Sequence, residues 1–152
     1  MKYTLSKINR WMFLKLPAAW LTGVRLTLVD DDKCEVNVRF KWINQNPYKS
    51  MFWAVQGMAA ELTTGILLTR CIQDSNYNIS MLLVSNKSSF QKKAVGKITF
   101  TCSEGKVAKQ LINSTIQNIT SKALLKASGY DEKGDLVSEF EFEWSCKKRK
   151  NG

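Results

Sequence analysis

Glu61 is the one acidic residue in MFWAVQGMAAELTTGILLTRCI, residues 51–72, a stretch that is apolar or small on almost every side. Burying an unpaired carboxylate in such surroundings costs on the order of several kcal/mol. Two roles would account for it. One is structural, an ion pair with a lysine or the capping of a loop. The other is a general base or nucleophile whose pKa burial has raised toward a working range. Just upstream, Asn46 and Ser50 could orient a water or a carbonyl, or serve only as an Asx-turn and a helix N-cap. Gln56 is a further group able to polarise a substrate. If the stretch is helical, the first-turn amides of Trp53 and Ala54 have no intrahelical acceptor and lie at the positive end of the helix dipole. Such donors can stabilise a developing oxyanion.

Other chemistries are excluded by composition. The chain has no histidine, so it cannot form a Ser-His-Asp triad, a Cys-His pair or an HExxH zinc site. The cysteines at 34, 71, 102 and 146 are too far apart in sequence for a CxxC or zinc-type cluster, and we expect free thiols and no metal. The N-terminus lacks the apolar core and cleavage site of a signal peptide, so the expected location is cytoplasmic. Lys and Arg number 23 against 13 Asp and Glu, a net charge of +10, which suits an anionic partner such as a phosphorylated small molecule. The basic residues are spread singly apart from Lys147–Lys150, read as a solvated terminal run. Without an arginine-rich helix or a stacking-aromatic motif, nucleic acid is not expected as the partner.

The elements that must position Glu61 follow from periodicity. Residues 3–16 place Leu5, Ile8, Trp11, Met12 and Leu16 at helical spacing before Pro17. Gly23–Val29 reads as a strand with Val24, Leu26 and Leu28 on one face. In the next strand Cys34, Val36, Val38, Phe40 and Trp42 point one way, and Glu35, Asn37, Arg39 and Lys41 the other. NQNPYKS, 44–50, is a loop. Residues 51–72 would span roughly 30 Å as a helix, long enough for a membrane. Glu61, Gln56, three threonines and the surrounding strands favour instead a buried helix wrapped by sheet, with no membrane span. Strands are expected over 79–85, 95–102, 119–130 and 136–146. The last alternates Phe140, Phe142 and Trp144 against Glu139, Glu141 and Glu143, with DEKG at 131–134 as a hairpin turn. Lys106–Ser114 is compatible with a loop or a short helix.

A mainly antiparallel sheet around one long apolar helix placed after the second strand resembles the hotdog fold, an α+β arrangement. The loop Asn44-Gln45-Asn46-Pro47, the turn Phe52-Trp53-Ala54, Glu61 nine residues after Phe52, and Ser89-Phe90-Gln91-Lys92-Lys93-Ala94-Val95-Gly96 are similar to motifs of the phenylacetate-type hotdog acyl-CoA thioesterases. Phe52-Trp53-Ala54 stands where those enzymes carry His-Gly-Gly. The chain most resembles an uncharacterised hotdog branch known only as a domain of unknown function.

The chain is expected to divide into an N-terminal helix over residues 1–18, a hotdog domain over 19–147 and a basic tail over 148–152, with the resemblance covering about residues 20–146. The resemblance implies an acyl-CoA or acyl-carrier-protein hydrolase in which Glu61 drives water attack on the thioester, or attacks it directly, with the Trp53 and Ala54 amides as oxyanion hole. The acyl chain would lie against Met51, Phe52, Val55 and Met58, and coenzyme A near Phe90, Lys92 and Lys93. No cofactor is implied beyond the coenzyme A of the substrate. The working unit would be a homodimer or homotetramer with the site between subunits. The alternative is a non-catalytic hotdog protein that binds acyl-CoA or another lipid.

Overall fold

Alternation of Phe140, Phe142 and Trp144 with glutamates sends the aromatics to one face of a strand, and all three are buried. They belong to β6 (Leu136–Lys148), one of six antiparallel strands in the computed structural model, which describes residues 4–150. Tyr3 of the expected first helix and Asn151 and Gly152 of the expected tail lie outside the described residues. The other strands are β1 (Arg25–Val29), β2 (Cys34–Arg39), β3 (Ile79–Phe90), β4 (Lys97–Cys102) and β5 (Thr120–Tyr130), in the sheet order β1-β2-β4-β5-β6-β3. Lys147 and Lys148 continue β6, paired with Ser80 and Ile79 of β3, rather than forming a solvated run.

The apolar segment forms the 23-residue helix α3 (Trp53–Ser75), which starts two residues later and runs three residues further than its apolar composition indicates. It packs on the sheet through residues such as Val55, Ala59, Leu62, Leu67 and Leu68. Two polar links fix its position. The Trp144 indole N–H donates to Thr64 Oγ1 at 3.0 Å, and Ser138 Oγ donates to Gln56 Oε1 at 2.8 Å, both in buried surroundings. Gly57 and Gly65 leave room for the Phe140 and Trp144 rings, each about one van der Waals contact from where a Cβ would stand.

Several expectations need correction. Ser50 is not the N-cap of α3; Phe52 holds that position with extended backbone (φ −60°, ψ 133°) and no side-chain cap. Ser50 is buried instead in the preceding loop, where its Oγ accepts from Asn46 Nδ2 at 2.9 Å. Strand β2 ends at Arg39, and Trp42 begins a single 3-10 turn (Trp42–Asn44) that leaves its ring 82% exposed. The turn is stapled by buried Asn44, which accepts from the Lys41 amide and donates to the Thr22 and Arg39 carbonyls. A bulge between Leu26 and Leu28 takes Leu28 off the buried face shared by Val24 and Leu26. Strand β3 runs to Phe90, and β4 starts at Lys97, two residues later than expected. Residues 105–118 form a full helix, α4 (Gly105–Asn118), with Ala108, Leu111, Ile112 and Thr115 buried.

At the N-terminus Pro17 ends α1 (Leu5–Lys15) and opens the short α2 (Pro17–Leu21), a position proline favours. Of the residues expected to pack, Ile8 and Met12 are buried, whereas Leu5 and Trp11 are exposed. Asn9 of α1 exchanges two hydrogen bonds with Leu26 of β1: Nδ2 donates to the carbonyl at 2.9 Å and Oδ1 accepts from the amide at 3.0 Å. The β1 edge of the sheet is thus short, bulged and capped. The β3 edge is twelve residues long, shifts register between Leu83 and Ser85, and among the described residues pairs only with β6, with Leu82 and Val84 exposed. It is the edge open to another strand.

Helix α4 docks on the loop between β1 and β2 through Gly105, whose amide donates to the Asp32 carbonyl at 2.9 Å. A Cβ at this position would overlap the Asp31 carbonyl oxygen and the Asp32 Cα. Gly105→Ala should therefore cost about 1–3 kcal/mol, as overpacking against backbone does. Chemical denaturation read by circular dichroism checks this, and an unchanged midpoint would contradict the packing described.

Candidate active site

The first turn of α3 is tight: the amides of Val55 and Gln56 both donate to the Phe52 carbonyl. No acceptor among the described residues takes the amides of Trp53 or Ala54. They lie at the dipole's positive end, and Trp53, though not Ala54, lines a cavity of about 500 Å³. That cavity brings together Asn46, Ser50, Met51, Phe52, Trp53, Gln56, Phe90, Lys92 and Lys93, nine of the residues singled out in the sequence. Residues 44–52 shape its mouth. Asn46 Oδ1 accepts from the amides of Tyr48 and Ser50, and Lys49 adopts a left-handed φ of 59°.

The polar side chains here already have partners within the chain. Asn46 and Ser50 bond each other, and Gln56 bridges Ser138 and the Met51 carbonyl. Lys92 is held by Asp131 at 2.7 Å and Asp135 at 3.0 Å, both in the β5–β6 hairpin. These contacts raise the Lys92 pKa and, with hairpin amides, lower that of Asp131. Among the described residues Lys93 bonds only the Tyr48 carbonyl, and no carboxylate there pairs its charge. Val55 is buried in the core and Met58 packs against it; neither lines this cavity.

Glu61 does not lie with these groups. It lines a second cavity, of about 540 Å³, walled by Ile8 and Trp11 of α1, Leu62 and Ile66 of α3, and Met81 of β3. No side chain or amide among the described residues bonds its carboxylate, so the ion-pair reading finds no partner there. Burial pushes its pKa up. Gly65, one turn on, makes the space: a Cβ there would stand 3.4 Å from Glu61 Oε1. Lys7 and Arg70 also line this cavity, but Arg70 is occupied by Asp31 at 2.7 Å. Seven helical residues separate Ala54 from Glu61, a rise of about 10 Å. Within one chain Glu61 and Trp53 line different cavities. Sequence reasoning missed Lys7, Trp11 and Met81, which reach Glu61 only through the packing of distant elements. It also missed Ser138, whose small hydroxyl in an aromatic strand was its one signal.

A carboxyl whose folded pKa lies above its unfolded value of about 4.3 binds more protons in the folded state between those two values. The charged form is penalised on folding, so Glu61 subtracts stability as pH rises from about 4 through its folded pKa. Glu61→Gln should therefore have a thermal midpoint close to wild type at low pH and above it at neutral pH. Parallel melts across pH 4–8 check the sign, and a variant less stable than wild type at neutral pH would show a hidden partner for the carboxylate.

No curated protein matches the chain by sequence. Solved structures match its fold. A protein of unknown function from Pseudomonas aeruginosa, named a probable thioesterase, is 16% identical, covering 98% of this chain and 99% of its own at a TM-score of 0.80. A protein of unknown function from Chlorobaculum tepidum is 14% identical, covering 95% and 94% at a TM-score of 0.81. A thioesterase from Haemophilus influenzae is 12% identical, covering 99% and 95% at a TM-score of 0.77. No helix of the described residues is long and apolar enough to cross a membrane. The fold is the hotdog, and with residues 6–146 matching the family described as Domain of unknown function (DUF4442), the chain belongs to that family.

Proposed function

We propose that the protein hydrolyses a fatty acyl thioester of coenzyme A or acyl carrier protein. The observation that carries this reading is the unpaired, pKa-raised carboxylate of Glu61 on the wall of an apolar cavity. Such a group is suited to take a proton from water attacking a carbonyl, or to attack the carbonyl itself. The free amides of Trp53 and Ala54 are suited to the oxyanion. The thioesterases among the similar folds support the same reaction class.

The two halves of this machinery lie about 10 Å apart along α3, too far to act on one carbonyl. We propose that two chains pair through the open β3 edge about a twofold axis, so that Glu61 of one chain serves the α3 N-terminus of the other. Lys93, which no carboxylate among the described residues pairs, would meet the phosphates of coenzyme A. Lys92, shared between two aspartates, is the weaker candidate. No cofactor is required beyond the carrier of the acyl group. A cytoplasmic setting suits the free thiols of Cys34, Cys102 and Cys146.

A non-catalytic, acyl-binding role is favoured by one observation. Phe52 and Trp53 crowd the helix N-terminus with large exposed rings where a small residue would let a thioester approach the amides closely.

Turnover across a series of acyl-CoA chain lengths separates the two readings. Wild type should hydrolyse at least one of them, and Glu61→Gln should lose on the order of 10²-fold or more in kcat with modest change in binding. Binding without turnover in wild type would establish the second reading, and full turnover in Glu61→Gln would remove Glu61 from the mechanism.

The pairing has its own test. Leu82→Lys with Val84→Lys sets like charges on both copies of the β3 edge. It should convert the assembly to a folded monomer of 17.3 kDa and abolish turnover. A wild-type chain that sediments as a monomer would contradict the shared site.

A further inference from the structure

The first 29 residues carry Lys2, Lys7, Arg10, Lys15 and Arg25 and no acidic residue. Within this stretch α1 and α2 turn large apolar side chains outward. Ile8 and Met12 face the core, and at 100° per residue Arg10 lies on the opposite side of α1, flanked by Phe13 and Leu14. Phe13 is 54% exposed, Leu14 65% and Leu21, at the end of α2, 64%. The Phe13 ring meets Trp20 of α2 edge-on at 5.6 Å, and the Arg25 guanidinium stacks on Trp20 at 3.4 Å, so the two helices present one surface. Water-exposed Phe and Leu beside Arg and Lys, with no carboxylate in the stretch, is the composition of a helix that lies in a lipid headgroup layer.

We infer that the α1–α2 surface docks on an anionic lipid bilayer, seating Phe13, Leu14 and Leu21 among the headgroups while Arg10 and Lys15 meet their negative charge. A second copy of the chain is the poorer occupant. Isologous pairing would set this all-basic patch against itself, and the long open β3 edge offers a different surface for that purpose. No described helix crosses a membrane, so the contact is with the surface. The position also suits an apolar ligand. The 540 Å³ cavity lies against α1, and Trp11 lines its wall while remaining half-exposed at the surface.

Co-sedimentation of the full chain with phosphatidylcholine vesicles, with and without phosphatidylglycerol, tests this independently of any hydrolysis. Binding should appear on the anionic vesicles, fall as salt is raised, and be on the order of tenfold weaker or more on the neutral ones. Phe13→Ser with Leu14→Ser should weaken it by on the order of tenfold or more, with only the small fall in thermal midpoint that loss of the Phe13–Trp20 edge contact brings. Arg10→Glu with Lys15→Glu should produce a comparable loss. Absence of binding to anionic vesicles overturns the inference. So does binding that both double variants leave unchanged, which would place the lipid contact on another surface. A change in sedimenting mass of the Phe13→Ser, Leu14→Ser protein without lipid would reassign the patch to contact between copies.

Discussion

The Trp144 indole N–H bonded to Thr64 Oγ1 marks the place where β6 closes over the middle of α3. A helix that is apolar almost all round must be covered on most of its surface, and the sheet supplies that cover through Phe100, Phe140, Phe142 and Trp144. Burial by aromatic rings fixes the helix rotation about its axis, because Gly57 and Gly65 are the points where Phe140 and Trp144 come close. Once the rotation is fixed, so is the direction of every other side chain on α3. Glu61 then lines the space between α1 and the β3 edge of the sheet, beside Gly65.

That geometry separates two requirements of acyl-transfer chemistry. Oxyanion donors belong at the beginning of a helix, where amides are free. A carboxylate with a raised pKa belongs in apolar surroundings, which α3 offers only further along. One straight helix cannot bring both to the same atom. The asymmetry between the two sheet edges, β1 capped by Asn9 and β3 left open, supplies a physical reason for a second chain to complete the arrangement. Lys92 illustrates the opposite case. It has the right charge for a phosphate, yet the hairpin aspartates claim it.

Much of the fold was legible because its signals are periodic. The alternation of β6, the central helix and the Asp131–Gly134 turn, with Gly134 at φ +83°, stand where pattern and turn chemistry put them. The misreadings share a cause. Trp42 continues an alternating pattern, but the Asn44 side chain bonds three backbone groups around it and folds the chain into a turn. Ser50 is a good N-cap by type, but Asn46 holds it in the loop. Helix α4 is amphipathic, and its polar residues obscured the buried side formed by Ala108, Leu111 and Ile112. Glu61 was conspicuous in sequence because its cost is local. Its placement in a different cavity from Trp53, eight residues upstream, and the walls contributed by Trp11 and Met81, depend on tertiary packing that spacing does not encode.

A shared site makes activity recoverable from two inactive chains, and complementation measures that directly. Trp53→Pro removes one oxyanion amide at a helix position where proline is tolerated, and Glu61→Gln removes the carboxylate. Each variant alone should be nearly inert. Unfolded together and refolded as an equimolar mixture, half the dimers would carry one chain of each kind, with one of their two sites intact. The account predicts recovery of about one quarter of wild-type turnover. A mixture as inactive as its two components would contradict it, placing Glu61 and the α3 amides in separate functions or within a single chain.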